Sequence, residues 1–546
     1  MVAIDEHTDT LPPVAAPVPD RDDSTRYLCA AAHLSPDYAE AAVAEMLVEP
    51  LRATAPSPGI DAGAVLTEAV ADRVRVRLVA AVALDVGVVM AVLAPPLLAV
   101  WYLIALLATL PRLAGQLKDK RKVFGANMVL ALVAVSVLGY FELDALEDVG
   151  GLALLPIVPL FAVFVANRVT VNRLIATRFQ RRRGHQPSPS ARLDSQLLSF
   201  SPGLTQRIKQ RYLTADVFVA PSEASAAEWV PVVVHRGFEP FVGAGPAYKP
   251  WSMAIPLERN PHAEEYHPLT TARLVDAIGR ELENLRNSVR LSPSGRFTRM
   301  ISDDIVAISS DDLVEHMGAP EGMPFILDDR HRPYTHVSRA RAMALRDEPV
   351  EWARHFRRFT VLTWDHDLII SVYLHVAMDE STLYVEWSPC VLRPINESFR
   401  DIDTRHHTAG RAIGQAFGDL LRFPAELAGG VGRLLTFSRQ LKVESGLVNP
   451  DKYGALRSLR EFAADDGVRS YFQRLDIDRY LKIMHTRAIR AMSALLRDSG
   501  YSRASLEQQA QAIVQNSVHI GGSVTGPVAV GMNPSIGDVD INVGGD

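Results

Sequence analysis

Cysteine is almost absent from this 546-residue chain, which has only Cys29 and Cys390. Two cysteines exclude a disulfide scaffold and a cysteine-rich zinc domain. The 57 basic and 63 acidic residues give a net charge of −6, so the chain lacks the basic excess of a dedicated nucleic-acid-binding protein. Hydrophobic residues make up 48% and charged residues 22%, which excludes a wholly disordered or collagen-like protein.

The motifs of common enzyme classes are also absent. The chain has no Walker A sequence and no GxGxxG, HExxH, CxxC or GxSxG motif. Residues 1–24 contain early acids and prolines but no apolar run. They predict a disordered tail and not a signal peptide, and a cytoplasmic N-terminus follows from this.

Apolar residues are concentrated between positions 78 and 168. The first block, 78–110, carries Asp85 as its single charge and Pro95 and Pro96 near its middle. A membrane span needs about 20 residues and proline interrupts a helix, so this block predicts a helical hairpin. The sequence also allows one kinked span over about 86–110, preceded by an amphipathic helix.

The second apolar block is divided by an acidic link at 142–150. Together the two blocks predict a multi-pass α-helical membrane segment of about four helices in two hairpins. The predicted helices are 78–94, 96–110, 127–141 and 151–167.

Basic residues lie before the first block, between the blocks and after the second, whereas the link at 142–150 has four acids and no base. Positive flanks stay in the cytoplasm, so we expect a plasma-membrane protein with an external link and with both termini cytoplasmic. Asp85 is expected at the interface, paired with nearby arginines. The cluster expected to face lipid headgroups is Arg173, Arg178, Arg181, Arg182 and Arg183.

The cytoplasmic parts differ in composition. They are a small helical domain at 25–77, a basic linker at 169–194, an α+β domain at 195–400, a helical region at 401–515 and a β-rich Gly/Val tail at 516–546. Three β-branched runs at 357–395 predict an antiparallel meander, hence an α+β domain with an antiparallel sheet. Amphipathic, glycine-rich helices early in the helical region are expected to pack against this domain, with binding to the membrane surface as the alternative.

The most distinctive segment is the glycine-rich loop between two predicted strands at 232–257. Small residues let backbone amides point at an anion, and basic side chains at both ends could assist. The candidate ligand-binding residues are His235, Arg236, Gly243, Gly245 and Lys249. The alternative is a hairpin loop whose phenylalanines fill the core beneath it.

Clusters of histidine and aspartate are weaker candidates for a hydrolytic metal site. They comprise Asp328, Asp329, His331, His336, Asp365, His366, Asp367, His406 and His407. The Asp-His-Asp sequence at 365–367 has the polar character of a turn in the meander. We therefore expect no metal and no cofactor.

Three stretches carry a family resemblance: PVVVHRGFEPFVGAG followed by WSMAIPL, then YFQRLDIDRYLKIM, then IGGSVTGPVAVG. They resemble a group of actinobacterial multi-pass membrane proteins with a cytoplasmic α+β domain and a Gly/Val-rich C-terminal tail. The resemblance covers most of the chain after the membrane block and implies no particular activity. The last stretch also resembles short tails on actinobacterial multi-domain proteins that act in signalling or conflict systems.

These features favour a membrane-anchored signalling, sensor or scaffold protein without catalysis. Its expected partners are the bilayer and, through the tail, a copy of itself or another protein, but not nucleic acid. The alternatives are a membrane-bound hydrolase, with a site near 235–251 or in the His/Asp clusters, and a transporter or channel.

Overall fold

The computed structural model describes most of the chain. The described residues are 23–114, 136, 156–181, 190–192, 195–213, 228–263, 265–288, 291–327, 331–404, 409–435, 448–519 and 528–530. They form an N-terminal group of helices, a set of apolar helices and a mixed β-sheet flanked by helices.

A local capping signal starts the second of the N-terminal helices. Helix α1 is Ser24–Leu34 and helix α2 is Pro36–Val43. Between them, the Ser35 hydroxyl accepts a hydrogen bond from the Tyr38 amide at 3.3 Å, and proline occupies the first helical position, where its missing amide costs nothing.

Helix α3, Ala62–Leu93, changes surroundings along its length. Its first half packs against α1 and α2 and buries charged residues, among them Glu68 and Asp72. From Leu78 onward large apolar side chains are exposed, and Val92 near the end is 76% exposed. One continuous helix therefore joins a polar, buried environment to an apolar, exposed one.

Among the residues that the structure describes, two helices are long and apolar enough to cross a membrane. They are α3 and the helix Ile157–Phe179, which consists of α5, Ile157–Leu174, and one further π-helical turn. Two such helices are weak support for membrane association on length and composition alone, because core helices of soluble proteins pass the same test. Only 22% of the most apolar window of each is buried, however, so neither is a core helix.

The predicted block of four membrane helices is wrong. Helix α3 starts at Ala62, far before the expected boundary, and is followed by α4 (Pro95–Ala114). Among the described residues, only α3 and the helix Ile157–Phe179 qualify as candidate spans. The span predicted at 127–141 lies outside the described residues except for Ser136. Hydropathy located the apolar run, but it carries no information on where a helix starts within a polar segment.

A further helix joins this apolar group. Helix α11, Ala409–Leu435, packs against α3, α4 and α5. The Phe423 ring lies 5.6 Å from the Trp101 ring of α4 and 6.1 Å from the Phe164 ring of α5. The apolar helices, and not the α+β domain, are therefore its main packing partners.

The sheet has eight strands in the order β4-β1-β3-β5-β6-β7-β2-β8. The strands are β1 Trp229–His235, β2 Trp251–Pro256, β3 Ile301–Ser309, β4 His336–Ser338, β5 Ala353–Thr363, β6 Leu368–Met378, β7 Thr382–Leu392 and β8 Val528–Val530. Strands β5, β6 and β7 form antiparallel pairs, but β1 pairs with β3 and β2 pairs with β8 in parallel. The prediction of an antiparallel sheet is thus wrong: the sheet is mixed, because strands distant in sequence add to the meander at both sides.

Helices cover both faces of the sheet. The remaining helices are α6 Pro202–Ile208, α7 Thr271–Glu283, α8 Ser310–Glu315, α9 Arg339–Asp347, α10 Glu397–Arg400, α12 Pro450–Tyr453, α13 Leu459–Phe462, α14 Tyr471–Asp498 and α15 Ala504–His519. One core contains Phe359 and Val361 of β5 together with residues of α7 and α14, and the other contains Phe356 of β5 together with the N-terminal helices. Alternate residues of β5 point to opposite faces, so this strand contributes to both cores.

A buried ionic network fastens α3 to α1. The His33 imidazole lies 2.9 Å from Glu68 Oε2 and 3.5 Å from Asp72 Oδ1, and all three side chains are at most 5% exposed. Burial alone would lower the pKa of His33, but the hydrogen bonds to Asp72 and Glu68 outweigh it, so the pKa is raised. Arg75 Nη1 lies 3.2 Å from His33 Nδ1 and opposes protonation, but the net direction of the pKa still favours the imidazolium, which therefore contributes to stability.

We expect His33→Gln to destabilise the protein most at acidic pH. Because the folded-state pKa is raised, the contribution of His33 is fully present below its ordinary value of about 6.5 and is lost as pH rises through the folded-state value. Melting temperatures of the full chain in detergent, measured across pH, should converge for wild type and variant at alkaline pH. The exposed His262→Gln is the control, and a pH-independent difference would contradict the assignment.

Candidate functional site

A polar cavity of about 370 Å³ opens where α1, the chain after α5 and the sheet meet. We call it the junction cavity. Its lining consists of Asp23, Ser24, Tyr27, Arg181, Trp364, Asp365, Asp367, Ile395, Glu397, Arg400, Asp401, Asp403, Thr404 and Arg469. Six of these residues are Asp or Glu and three are Arg, so a cationic group is favoured in the cavity.

The turn between β5 and β6 forms one wall, and its backbone is strained. Trp364, Asp365 and His366 all have positive φ, at 53°, 54° and 65°. Left-handed backbone costs a residue with a Cβ about 1–2 kcal/mol, so the surrounding structure must hold this turn in place. Trp364 Nε1 donates to Asp476 Oδ2 at 3.1 Å, and Arg469 donates to Asp367 Oδ2 at 3.0 Å.

A second wall is built on Arg26, whose side chain is 2% exposed. Its guanidinium donates to both Asp403 oxygens at 2.7 and 2.8 Å and to the Phe179 carbonyl at 2.7 Å. The Arg181 amide donates to Asp403 Oδ1 at 2.8 Å. Burial would raise the pKa of Asp403, but the hydrogen bonds from Arg26 and Arg181 outweigh it and lower that pKa, so the carboxylate stays ionised.

Exposed apolar side chains lie at the start of α14, beside the cavity. Tyr471 is 71% exposed, Phe472 67% and Leu475 41%. We call these three residues the aromatic rim. Gln473 connects this turn of α14 to the cavity by donating to Asp367 Oδ2 at 3.2 Å. Exposed aromatic groups next to arginine and carboxylate side chains are typical of partner-binding surfaces.

The glycine-rich loop does receive a carboxylate, but one that belongs to the protein. The amides of Gly243 and Gly245 donate to Glu461 Oε1 at 3.0 and 2.9 Å, and the Ser458 amide donates to Glu461 Oε2 at 2.7 Å. The second of these oxygens completes a capping box at the start of α13. The loop is not a hairpin, since four strands separate β1 from β2 in the sheet.

The phenylalanines of this loop have different surroundings. Phe241 stacks on the Tyr373 ring at 3.9 Å and meets the Phe356 ring edge-on at 5.0 Å. Phe238 is 86% exposed. Phe241 therefore fills the core beneath the loop, while Phe238 does not.

The polar candidates at the two ends of the loop are spread apart. Arg236 pairs with Glu45 at 2.5 Å, and His235 Nδ1 lies 3.3 Å from the Gly237 carbonyl, with its pKa lowered by burial. Lys249 pairs with the exposed Asp478 at 3.3 Å. These side chains do not converge on a common site with Gly243 and Gly245.

Two arginines of the predicted lipid-facing cluster contact the protein itself. Arg178 pairs with Glu68 of α3, and Arg181 pairs with Asp23 at the junction cavity. Arg173 is exposed on α5, while Arg182 and Arg183 lie outside the described residues. Contact with lipid headgroups stays a prediction for this cluster.

The histidine and aspartate candidates are dispersed. His331 accepts a hydrogen bond from Tyr453 through its carbonyl, and His336 lies on the edge strand β4, while Asp328, Asp329, His406 and His407 are outside the described residues. Within the described part of the chain, no group of three or more His, Cys, Asp or Glu is placed to hold a metal ion. Of these candidates, only Asp365 and Asp367 line the junction cavity.

The junction cavity itself was missed by the sequence prediction. Its walls come from five separate parts of the chain, and Arg26 and Asp403 are 377 residues apart. The available signal was the acidic run around Asp401 and Asp403 after a predicted strand. That signal did not show which distant arginine pairs with these acids.

We expect Gly243→Ala and Gly245→Ala each to destabilise the protein by at least about 1–2 kcal/mol, since both residues have positive φ (93° and 79°). A Cβ at Gly243 would also lie 2.5 Å from the Pro56 carbonyl oxygen. A Cβ at Gly245 would clash with the Val391 carbonyl oxygen. Thermal unfolding of the full chain in detergent tests this. Gly318→Ala, with nothing within 4 Å and no positive φ, is the matched control. Melting temperatures equal to that of the control would contradict the argument.

Comparison with known proteins gives one match. The model of the AbeC-like domain matches residues 250–525, which include β2 to β7, α14 and the rim. No curated protein and no solved structure matches the chain. Since the matched segment covers just over half of the sequence, the chain belongs to the AbeC-like domain family.

Proposed function

We propose that this protein is a membrane-anchored signalling protein whose apolar helices control a partner-binding surface at the junction cavity. The observation that carries the proposal is the position of Arg181. This residue follows the candidate membrane helix Ile157–Phe179 by two positions and lines the cavity. A displacement of that helix therefore moves a wall of the cavity.

Rigid contacts support this coupling. Phe179, the last residue of the helix, is fully buried, and its carbonyl accepts a hydrogen bond from Arg26, which also binds Asp403 of the cavity lining. A buried, bidentate arginine–carboxylate pair has a defined geometry that resists deformation. Movement of the helix end is thus passed to Asp403 and is not absorbed by a flexible link.

A second connection leads from the cavity to the apolar helices. Thr404 lines the cavity and precedes Ala409, the first residue of α11, by five positions. Helix α11 packs against α3, α4 and α5. The cavity is therefore linked to the apolar group on two sides, through Arg181 and through the segment that leads into α11.

The expected partner presents a cationic group next to apolar side chains. Carboxylates outnumber guanidinium groups in the cavity lining, and the aromatic rim offers exposed apolar surface beside it. The alternative of a hydrolase site near 235–251 gains no support, because the amides of Gly243 and Gly245 already donate hydrogen bonds to Glu461. A scaffold role without coupling remains the competing interpretation, and the experiment below separates the two.

Changing bilayer thickness should change the environment of the cavity. Apolar helices respond to hydrophobic mismatch by tilting. The full chain, carrying Thr404→Cys labelled with an environment-sensitive dye, is reconstituted in nanodiscs of thin or thick lipids. Cys29 and Cys390 are fully buried and do not compete for the label. We expect the dye emission to shift between the two lipid thicknesses.

In Arg181→Ala the emission shift should be reduced, because that variant removes the side chain joining the helix end to Asp23. Arg173→Ala removes an equal charge from an exposed position of the same helix and should leave the shift intact. Equal melting temperatures for the two variants establish that both are folded. An emission independent of thickness would refute the coupling and favour the scaffold role. A shift that survives in Arg181→Ala would refute a part for the Arg181 side chain and leave the contacts of Arg26 with Phe179 and Asp403 as the coupling route.

A further inference from the structure

Helix α11 has two apolar faces, and only one of them is covered. The covered face carries Ala412 and Ala416, both fully buried, and Phe423, which is 6% exposed. The other face carries Ile413, Phe417 and Leu421, which are 48%, 54% and 37% exposed. These three residues are spaced four apart and form one continuous row along the helix. We call them the α11 row.

The remaining side of α11 is polar, since Arg411 and Gln415 are exposed there. Asp419 lies on the covered face and pairs with Arg168 of α5 through two hydrogen bonds at 2.6 and 2.7 Å. A helix with a wide apolar face and an arginine-bearing polar side is typical of a helix lying at a membrane interface.

The α11 row belongs to a helix that packs against the two candidate membrane helices. Ala416 and Phe423 share one packed cluster with Ala83 of α3 and with Leu160 and Phe164 of α5. Those two helices are the candidate membrane spans, and exposed Leu78 and Val82 precede Ala83 on α3. Because the α11 row lies on a helix packed against these candidate spans, we expect it to contact the bilayer.

The Arg168–Asp419 ion pair indicates how deep in the bilayer the α11 row lies. Arg168 and Asp419 lie one turn from Phe164 and Phe423, and a charged pair is costly at the bilayer centre but tolerated near headgroups. The α11 row spans Asp419 in sequence, so we expect it at the same level. Val92 is fourteen residues beyond Leu78 on the apolar half of α3, so we expect it deeper in the bilayer.

We infer that the α11 row inserts into the bilayer at the boundary between headgroups and acyl chains, so that the AbeC-like domain carries its own membrane contact. This inference rests on the proposed membrane anchoring of α3 and α5. It goes further in assigning a third, amphipathic element to the membrane. The element lies within the residues matched by the family model.

The test uses full-length protein with one introduced cysteine that carries a fluorophore, reconstituted in phosphatidylcholine vesicles; the native Cys29 and Cys390 are buried. The labelled variants are Phe417→Cys, Ile413→Cys, Gln415→Cys, Val92→Cys and, at an exposed side chain of β7, Tyr384→Cys. Bromine atoms placed near the headgroup end or near the tail end of the lipid chains quench nearby fluorophores. We expect headgroup-end bromine to quench Phe417→Cys and Ile413→Cys, tail-end bromine to quench Val92→Cys, and neither to quench Gln415→Cys or Tyr384→Cys.

The remaining outcomes separate the inference from the function on which it rests. Quenching at position 92 without quenching at 413 and 417 would overturn the inference and leave the membrane anchor standing. No quenching at any of the three positions would overturn both. Equal quenching at 415 and 417 would show the helix to be submerged, and the interfacial placement would be wrong.

Discussion

The architecture depends on helix α3, whose two halves lie in different environments. The first half of α3 is buried against α1 and α2, and its second half exposes apolar side chains. A helix satisfies its own backbone hydrogen bonds, so it can pass from one environment to the other without interruption. Its charged side chains need partners in the buried half, and the network of His33, Glu68 and Asp72 supplies them. The N-terminal helices are held in position by this requirement.

The sheet packs against a core on each face and carries paired charges on both faces. On one face Asp304 accepts from His355 and Arg357 at 3.1 Å each, and on the other Arg358 donates to Asp303 at 2.9 Å. Burial would raise the pKa of Asp304, but these partners lower it. Each of these charges has a partner of opposite charge, so none of them is left uncompensated in the sheet.

The junction cavity and the α11 row follow from how the apolar helices are attached. One attachment runs through Phe179 and Arg181, and the other runs through Thr404 into α11. Both attachments pass beside the Arg26–Asp403 pair, which lies between the N-terminal helices and the sheet domain. The strained turn at Trp364–His366 closes the cavity from the sheet side. The features that point to function therefore occur at one boundary, between the sheet domain and the apolar helices.

Local patterns in the sequence were sufficient to locate the apolar runs and the strands β5, β6 and β7. These patterns depend only on residues close in sequence. The tertiary structure decided the rest, because the deciding contacts are distant. The amides of Gly243 and Gly245 meet Glu461 across 218 and 216 residues, so the loop that suggested an external anion site is occupied by an internal carboxylate. Likewise, hydropathy could not place α11 beside α5, since the Arg168–Asp419 pair that positions it joins residues 251 apart.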